Sequence, residues 1–405
     1  MFTKLKSLLY NNEVRAIVFQ ALAVVVIAYF AYQAFDNMML NIEQRGIRSG
    51  FGFLNDEAGF AVNDNFFLEY SPASTNLQAF YVGIVNTLIV AITGIFFASV
   101  IGLIVGIARL SSNYLVRKMA TVYIEIFRNI PILLQILFWY SIALKVLPSA
   151  RNSMSFMDSV FLNSRGLYLP KPIMGTDFYF VLASLVIGIV AYVFIRKRSN
   201  KKHDETGINT NTIPHFLGLV LLLPIVVYFS FGAQLEYPAL KGFNFRGGID
   251  LSIEFFALAF SLSIYTATYI AEAIRSGVES VDVGQKEAAA ALGLKNSRAM
   301  RLVILPQALR VAIPPIINQY LNLTKNSSLA AAVGYTELVT IFSGTVLNVV
   351  GQAIEIIMLT MLVYLTISLV ISLILNIFNK KMQINDMTSD IVKYTSIVSI
   401  IISIA

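Results

Sequence analysis

Eight long apolar stretches, separated by polar connections, constrain this chain of 405 residues more than any other feature. A helix needs roughly 20 apolar residues to cross a hydrocarbon core of about 30 Å. Each stretch therefore predicts a membrane-spanning helix, and the expected fold is an all-α membrane protein with about eight transmembrane helices. The stretches run approximately over residues 16–35, 81–108, 123–147, 178–195, 214–231, 254–274, 311–334 and 352–378.

The composition agrees with a membrane protein and excludes several functions. Hydrophobic residues make up 57% of the chain and charged residues 13%, about half the charged fraction of a soluble domain. There is no cysteine, so disulfides and thiolate metal sites are excluded, and the two histidines, His203 and His215, do not suggest a metal centre. No Gly-Lys pair occurs, so the chain has no phosphate-binding P-loop, and any nucleotide must bind to another protein.

The distribution of lysine and arginine predicts the orientation. If the N-terminus is cytoplasmic, the inner loops hold twenty of these residues and the outer loops seven. Because cytoplasmic loops carry an excess of Lys and Arg, the N-terminus and the region around residue 380 are predicted to be cytoplasmic. The formal charge of +7 is attributed to these loops rather than to nucleic-acid binding. The first stretch is longer than the apolar part of a secretory signal and is predicted to be an uncleaved anchor.

Two predicted outer loops are long, over residues 36–80 and 148–177. The first carries six acidic residues, and the second is mixed in charge. They are either solvated connections or a docking platform for a soluble partner. The apolar run after Asp390 is too short to span a membrane comfortably, so three interpretations stay open: it lies at the interface, packs on the bundle or lacks structure.

The cytoplasmic loop over residues 285–310 is rich in alanine and basic residues and predicts two short helices. The alanine run 288–291 favours a helix, and Gly293 suits the left-handed residue that ends it. Ser297 is expected to cap a second helix, which should end before Pro306 because proline disfavours the helical conformation in its predecessor. Taken alone, the pattern is also compatible with an ordinary basic loop.

Six residues of this loop stand at the spacing of the EAA loop of ABC importer permeases, a family that the chain resembles. They are Glu287, Ala288, Ala289, Gly293, Leu305 and Pro306. Val303 stands where that family usually has isoleucine. The stretches "VNTL" (85–88), "YIEIFRNIPILLQ" (123–135), "YIAEAIRSGVESVDVGQKEAAAALGL" (269–294) and "LNLTKNSSLAAAVGYTEL" (321–338) are similar to the polar amino acid branch of the family. The long form of the chain resembles the general L-amino acid permease subunits of Gram-negative bacteria.

The resemblance implies a domain organisation. Residues 1–75 would form the N-terminal anchor helix and an outer, periplasmic loop. Residues 76–378 would form a five-helix ABC importer permease core with a two-helix insertion at about 148–250, and 379–405 a tail of unknown structure.

The resemblance also implies an activity and partners. The chain would be a multi-pass permease subunit of the bacterial inner membrane in an ATP-driven importer of L-amino acids. It would not be an enzyme, would have no catalytic or metal site, and would bind no cofactor, because ATP and Mg²⁺ would lie on a separate ABC ATPase subunit that contacts the EAA loop. The other implied partners are a homologous second permease subunit and a periplasmic amino-acid-binding protein.

Two other classes of protein stay open at this point. An ion-gradient-driven secondary amino acid transporter would explain the polar seventh stretch, but it gives no reason for the EAA pattern, and no internal inverted repeat is found. A membrane-anchored scaffold or receptor component would explain the long outer loops but not polar residues inside the membrane. The substrate range, whether general, acidic or basic amino acids, is open as well.

Polar residues in the seventh stretch are the candidates for the substrate path. They are Asn322, Thr324, Lys325, Asn326, Ser327 and Ser328. A cation in the middle of a membrane costs at least about 2.5–3.5 kcal/mol, so Lys325 must face protein, water or a counter-ion. It either lines the path, where it would meet a substrate carboxylate, or pairs with a residue such as Glu272, or extends to the interface.

Other polar residues give weaker signals. Glu125 and Arg128, three residues apart and just before Pro131, predict an ion pair that fixes the start of the third span, with a gating role as the alternative. Hydroxyl groups in membrane helices commonly serve packing. The weaker path candidates are Asn86 and Thr87 in the second stretch, and Ser261, Ser263, Tyr265, Thr266 and Thr268 in the sixth.

Overall fold

Seven helices in the computed structural model are long and apolar enough to cross a membrane, and a bent pair of helices makes an eighth span. These numbers refer to the described residues, which are 12–44, 46, 48–64, 68–173, 176–206, 211–231, 234–242 and 244–384. The prediction of a mostly helical membrane protein with about eight spans is confirmed. The first eleven residues and the part of the predicted tail after residue 384 lie outside the described residues.

The helices follow one another along the chain. α1 to α4 are Asn12–Gln44, Asn76–Arg109, Tyr114–Asn129 and Ile132–Val146. α5 is Thr176–Thr206, and α6 is Ile213–Ser230 with a π-helical segment at Leu217–Leu222. α7 is Ile253–Glu279, α8 is Val283–Ala291, α9 is the continuous run Asn296–Ala332, α10 is Val339–Val350 and α11 is Ala353–Ile384.

α7 lies at the centre of the bundle, where it packs against α2, α4 and α9. α2 approaches α7 closely because glycines face the contact. A Cβ atom at Gly102 would lie 2.7 Å from Cβ of Ile270, and one at Gly106 would lie 3.1 Å from Cβ of Ile274. Small residues allow close approach of membrane helices, so these two positions set the distance between α2 and α7.

The third span is not one straight helix. α3 and α4 meet at 103° around Pro131, so the prediction of a continuous helix over residues 123–147 is wrong. Proline lacks an N–H and restricts its predecessor, and Ile130 accordingly has an extended backbone with φ −95° and ψ 128°. The amide nitrogen of Gln135 donates to the carbonyl oxygens of Phe127 and Ile130, at 2.8 Å each, and so stabilises the bend.

α9 also departs from the sequence prediction. The second loop helix does not end before Pro306 but continues into the membrane. Proline is accepted here because a π-helical turn, Met300–Ile304, precedes it, and Pro306 stands in the first turn of the α-helical part, Leu305–Asn326. Lys295, rather than Ser297, holds the capping position, and its side chain makes no capping hydrogen bond.

The predicted outer loops contain β-strands, which the sequence analysis did not predict. An antiparallel sheet has the order β1 (Met154–Phe156), β2 (Val160–Asn163), β3 (Gly166–Leu169) and β8 (Ile249–Ser252). Tyr168 of β3 pairs with Asp250 of β8, and β8 runs directly into α7. The sheet therefore joins the two ends of the insertion predicted at about 148–250. Two further antiparallel pairs lie between β3 and β8. β4 (Lys171–Pro172) pairs with β5 (Leu235–Glu236) across α5 and α6, and β6 (Ala239–Lys241) forms a short hairpin with β7 (Asn244–Arg246).

The two inserted helices, α5 and α6, pack on each other. Gly188 of α5 lies against the α6 backbone, where a Cβ would overlap the carbonyl oxygen of Leu219. A glycine is required at this position because any side chain would push the two helices apart.

The loop between α1 and α2 packs on the bundle. Phe53 and Val62 of this loop are buried in one cluster with Leu338 and Phe342, which belong to the segment around α10. The loop and the permease core therefore share a hydrophobic cluster, although the loop carries many acidic residues.

Candidate coupling loop and translocation cavity

The ends of α8, the short helix in the EAA-like loop, are both defined by local hydrogen bonds. The side chain of Asp282 accepts from the N–H of Gly284 at 2.6 Å and begins the helix. At the other end Gly293 has a φ of +72°, and its N–H and that of the next residue donate to the carbonyl oxygens of Ala290 and Ala289. This Schellman ending favours glycine because glycine has no Cβ. The predicted helix with a glycine stop is therefore present.

α8 turns one face to the protein and the other outwards. Ala289 is buried, whereas Glu287 and Ala288 are exposed. Two apolar side chains at the ends of the helix are also exposed, 64% for Val283 and 80% for Leu292. The sequence analysis missed both, although an apolar residue in a loop predicted to face water was an available signal. Both side chains leave apolar surface open at the ends of α8.

The other two predicted loop residues lie where α9 leaves the loop. Leu305 is buried and Pro306 is half-buried. Beside them, Ile304 packs in a small cluster with Val278 at the end of α7. These residues anchor the loop to the bundle, and they are less accessible than the exposed face of α8.

A cavity of about 320 Å³ lies between α7 and α9. Its lining residues are Tyr265, Thr266 and Tyr269 from α7 and Gln319, Asn322, Lys325 and Asn326 from α9. The hydroxyl groups of Tyr265 and Tyr269 lie 2.9 Å apart. Lys325 is exposed, and no carboxylate in the described part of the chain forms an ion pair with it. The cavity thus offers hydroxyl and amide groups and one cation, a set that is complementary to an anionic group.

Three of the six predicted path residues line this cavity, namely Asn322, Lys325 and Asn326. The spacing i, i+3, i+4 places them on one face of α9. Thr324 and Ser327 are buried elsewhere, and their hydroxyls donate to the carbonyl oxygens of Tyr320 at 2.9 Å and of Thr324 at 2.7 Å. The hydroxyl of Ser328 donates to the carbonyl oxygen of Lys325 at 2.8 Å. These three hydroxyls therefore hydrogen-bond to backbone carbonyl oxygens of α9 itself.

The ion pair between Lys325 and Glu272, which the sequence left as an alternative, does not form. Glu272 instead accepts from Nε of Arg275 at 3.0 Å, and Arg275 also pairs with Glu279. Arg275 is three residues from Glu272 on the same helix, so this pairing needs no tertiary contact.

The weaker candidates have mainly structural partners. The amide nitrogen of Asn86 donates to the carbonyl oxygen of Thr336 at 2.7 Å, and the hydroxyl of Thr87 accepts from the N–H of Leu338 at 3.2 Å. Both side chains thus fix the turn that precedes α10. Hydroxyls that donate to carbonyl oxygens within α7 belong to Ser261, Ser263 and Thr268.

Glu125 and Arg128 lie at the end of α3, just before the bend. Nη2 of Arg128 is 3.4 Å from Oε1 of Glu125, and the amide nitrogen of Asn129 donates to the other carboxylate oxygen at 3.1 Å. Both charged side chains are substantially exposed, and an exposed pair of this kind contributes about 0–1 kcal/mol. The position is suited to fixing the end of α3, and a gating role stays a prediction.

Comparison with known proteins identifies the family. Residues 184–384 match the family described as binding-protein-dependent transport system inner membrane component. The chain is 49% identical to the putative amino-acid ABC transporter permease protein YhdX of Escherichia coli (strain K12) over 376 residues, which cover 92% of this chain and 95% of the relative. The chain belongs to the amino-acid ABC transporter permeases.

Two further relatives agree with this assignment. The general L-amino acid transport system permease protein AapQ of Rhizobium johnstonii is 45% identical over 94% of this permease and 95% of its own length. The glutamate/glutamine/aspartate/asparagine transport system permease protein BztB of Rhodobacter capsulatus is 37% identical over 95% of this permease and 97% of its own length. The resemblance drawn from the EAA loop is confirmed, and nothing in these relatives supports an ion-gradient-driven secondary transporter.

Proposed function

We propose that this permease forms part of the membrane path of an ATP-driven importer of L-amino acids in the bacterial inner membrane. One observation carries the proposal: the exposed helix α8 is joined through Gly293 to α9, a single helical run whose other end lines the cavity. The name of AapQ, which refers to L-amino acids, and that of BztB, which refers to glutamate, glutamine, aspartate and asparagine, support this class of substrate.

The exposed face of α8 is the proposed contact for a separate ABC ATPase, which would carry ATP and Mg²⁺. Glu287 offers a charge, Ala288 permits close approach, and Leu292 offers an apolar side chain that is 80% exposed. Because α9 has no break between the loop and the cavity, a displacement of α8 would move the cavity wall as a rigid body. In this mechanism two ATPase subunits close on each other when they bind ATP. Their closure would switch the cavity between access from the outside and access from the inside.

The remaining partners are part of the proposal, which the family supports by its description as a binding-protein-dependent transport component. A homologous second permease would complete the membrane path, and a periplasmic amino-acid-binding protein would deliver the substrate to the outer loops, where the sheet β1–β2–β3–β8 offers an ordered surface. This arrangement requires the orientation predicted from the charges. Reporter fusions after Lys202 and Lys295 should therefore behave as cytoplasmic, and fusions near Asp64 and Lys171 as periplasmic; a periplasmic signal at Lys202 would contradict it.

The cavity is the proposed place where the substrate is held during passage. Lys325 would bind the carboxylate of an amino acid, while Asn322 and Asn326, on the same face of α9, offer amide groups to its polar atoms. Across the cavity, the two hydroxyls of Tyr265 and Tyr269 provide further donors and acceptors.

The coupling step can be tested with Glu287→Lys and Gly293→Val in proteoliposomes that contain the whole transporter and ATP. Glu287→Lys reverses an exposed charge on α8, and Gly293→Val places a β-branched residue at a φ of +72°, which is strongly disfavoured. Both variants should assemble with the second permease but lose the ATPase on purification, or lose uptake while hydrolysis continues. Lys118→Glu, an exposed charge reversal on α3, is the control and should transport normally. Uptake that follows an imposed proton gradient and ignores these substitutions would refute the proposal.

The substrate role of Lys325 has its own test. Lys325→Met should preserve assembly and basal ATPase activity, reduce uptake at least tenfold, and change the preference between acidic and basic amino acids. The matched control is Lys145→Met, which removes an exposed lysine at the end of α4, outside the cavity. Loss of assembly without a change of selectivity in the surviving protein would assign Lys325 to structure instead.

A further inference from the structure

The sheet β1–β2–β3–β8 has one face made only of apolar side chains. Residues alternate between the two faces along a strand, and paired residues of neighbouring strands point to the same face. Met154 pairs with Leu162. Leu162 pairs in turn with Leu167, and Leu167 with Leu251. The apolar face therefore consists of Met154 and Phe156 from β1, Val160 and Leu162 from β2, Leu167 and Leu169 from β3, and Ile249 and Leu251 from β8.

The opposite face of the sheet is already covered by protein. Phe245 of the β6–β7 hairpin lies over it, with ring centroids 4.6 Å from Phe161 and 4.8 Å from Tyr168. By contrast, none of the eight residues of the apolar face is buried, and Met154 and Phe156 are 59% and 66% exposed. When one face of an antiparallel sheet is buried, the other is commonly polar and faces water, so this apolar face calls for a partner.

The turn between β1 and β2 adds apolar surface at the tip of this hairpin. The N–H of Ser159 donates to the carbonyl oxygen of Phe156 at 3.3 Å, and the two residues between them, Met157 and Asp158, have φ values of +52° and +48°. A turn with two left-handed residues favours asparagine, aspartate or glycine, and methionine is uncommon there. Met157 is nevertheless present and is 82% exposed. The turn itself therefore gives no reason for this side chain.

The sheet is fastened to the ends of membrane-spanning helices. β8 runs directly into α7. The N–H of Ser164, in the turn between β2 and β3, donates to the carbonyl oxygen of Pro148, just beyond the end of α4, at 2.8 Å. The N–H of Ile253, the first residue of α7, donates to the carbonyl oxygen of Arg165 in the same turn at 3.1 Å. Leu251 of the apolar face packs on the core of the bundle. The sheet thus lies where these helices end, and its apolar face is continuous with the bundle.

This position and this composition favour lipid as the partner of the apolar face. A protein that docks and leaves usually meets a surface that is little more than half apolar, whereas the eight positions here include no polar residue. Helix ends of a membrane protein lie near the headgroups, where apolar side chains gain free energy by reaching the acyl chains. The contact must be shallow, because β1 is an edge strand of the described sheet and open strand edges do not occur in the hydrocarbon core.

We propose that the apolar face of this sheet, together with the tip at Met157, rests in the headgroup region of the outer leaflet and anchors the insertion to the membrane surface. Met154 and Phe156 would reach the boundary of the acyl chains, while the backbone of β1 stays among the headgroups. Because β8 runs into α7, the contact would fix the outer end of the central helix relative to the bilayer. This role goes beyond the proposed transport function and depends on neither the substrate nor ATP.

Neighbouring positions of β1 provide a matched test. The chain has no cysteine, so Phe156→Cys and Ser155→Cys can each carry one spin label in the complete transporter in nanodiscs, and the unaltered transporter gives the background from the other subunits. Both positions are exposed, but they lie on opposite faces of the sheet. The ratio of collisions with oxygen, which dissolves in lipid, to collisions with a water-soluble nickel chelate should be about fivefold higher at Phe156→Cys. Equal ratios, with nickel reaching both labels, would overturn the proposal.

The same measurement separates lipid from protein partners. A label at Phe156→Cys that neither reagent reaches would mean that another subunit covers the apolar face. Shielding from both reagents only after addition of the periplasmic binding protein would assign the face to that protein, and either result overturns the proposal. Met157→Asn suits the left-handed turn, so the hairpin should keep its fold, while the oxygen-to-nickel ratio at Phe156→Cys should fall about twofold as the tip loses its apolar contact.

A second experiment uses the unaltered chain and so does not depend on the folding of any variant. The transporter is placed in nanodiscs with a phospholipid that carries a photoactivatable group near its headgroup, irradiated and digested with trypsin. Cleavage after Arg151 and Arg165 releases the peptide 152–165, which contains β1 and β2. This peptide should carry cross-linked lipid. The peptide 242–246, which contains β7 on the covered side of the sheet, should carry at least tenfold less, and equal labelling of the two would refute the proposal.

Discussion

α7 and α1 are both membrane-length helices, and they show opposite relations between polarity and burial. α1 is the more apolar of the two, yet none of its most apolar segment is buried inside the protein. α7 is the less apolar, and 72% of its most apolar segment is buried. The buried polar residues of α7 are Ser261, Ser263, Thr266 and Thr268. In a soluble protein the more apolar helix would be expected inside.

The difference shows that the surroundings of this bundle are hydrocarbon. The lipid is as apolar as a leucine side chain, so an apolar helix gains little from entering the protein, whereas serine and threonine gain hydrogen bonds there. Packing in α7 must then come from close contact rather than from the exclusion of water. The following changes test this interpretation in matched positions of the two helices and their neighbours.

The largest effect is expected from Gly102→Val. A Cβ at this position already lies 2.7 Å from Cβ of Ile270 and 3.1 Å from the carbonyl oxygen of Ala267, so the larger side chain must separate α2 from α7. Overpacking of this kind costs about 3 kcal/mol. We expect a thermal midpoint lowered by many degrees and loss of assembled transporter in size-exclusion chromatography. Ala28→Val on exposed α1 is the control, and an equal loss there would break the comparison.

A smaller loss is expected when leucine is truncated in α7. Leu262 is fully buried, and Leu262→Ala should cost about 2 kcal/mol through lost contacts and the cavity left behind. Leu22 of α1 is 60% exposed, and Leu22→Ala should leave the stability nearly unchanged because lipid fills the space. Thermal unfolding of the two purified variants in the same detergent measures the difference. Equal losses at both positions would mean that α1 is covered by protein.

The third comparison removes a polar group from each environment. Gln135→Leu leaves the carbonyl oxygens of Phe127 and Ile130 without their donor at the bend, which should cost about 1–2 kcal/mol. In α1, Gln33→Leu removes an amide whose hydrogen bond to the hydroxyl of Tyr29 is long, at 3.4 Å, and should be neutral or slightly stabilising. Thermal midpoints and transport are measured for both, and a neutral Gln135→Leu would show that Pro131 alone maintains the bend.

The smallest effect is expected in the sheet β1–β2–β3–β8, where the titration of a carboxylate should change the stability of the protein. The pKa of Asp250 in β8 is raised to about 6, first by desolvation and then by the nearby carboxylates of Asp64 and Glu254. The folded protein therefore keeps a proton that the unfolded chain releases near the ordinary aspartate pKa of 3.8, so protonation stabilises the fold and stability falls as the pH rises from about 4 to about 6.

Asp250→Asn should flatten this decline, with a higher thermal midpoint at pH 7 than the unaltered permease. Burial also raises the pKa of Asp64, so a residual slope of the same sign should persist. Glu236→Gln, an exposed change on β5, serves as the control. If the Asp250→Asn and Glu236→Gln variants gave the same pH profile of stability, the titration of Asp250 would not cause the decline.

The candidate site was partly readable from the sequence. The glycine stop at Gly293 and the exposed position of Glu287 follow from local conformational preferences, which depend on neighbours in the chain. The side of α9 that faces the cavity could not be predicted from the sequence. Asn322 and Thr324 are both polar, and only the position of α7 decides that Asn322 lines the cavity and Thr324 does not. The sequence could have indicated the exposed Leu292 as an apolar residue in a water-facing loop, but how much of its surface stays open is decided by the tertiary structure.

The sequence by itself determined the number of spans, their mostly helical nature and the family, since membrane thickness and fixed motif spacing act on local stretches of chain. Only the tertiary structure decided the 103° bend at Pro131, the passage of α9 through Pro306, and the pairing of β3 with β8 across the insertion. The physical reason is common to all three. A proline or a short strand permits several conformations locally, and the contacts made by Gln135, by the π-helical turn before Pro306 and by the partner strand select one of them.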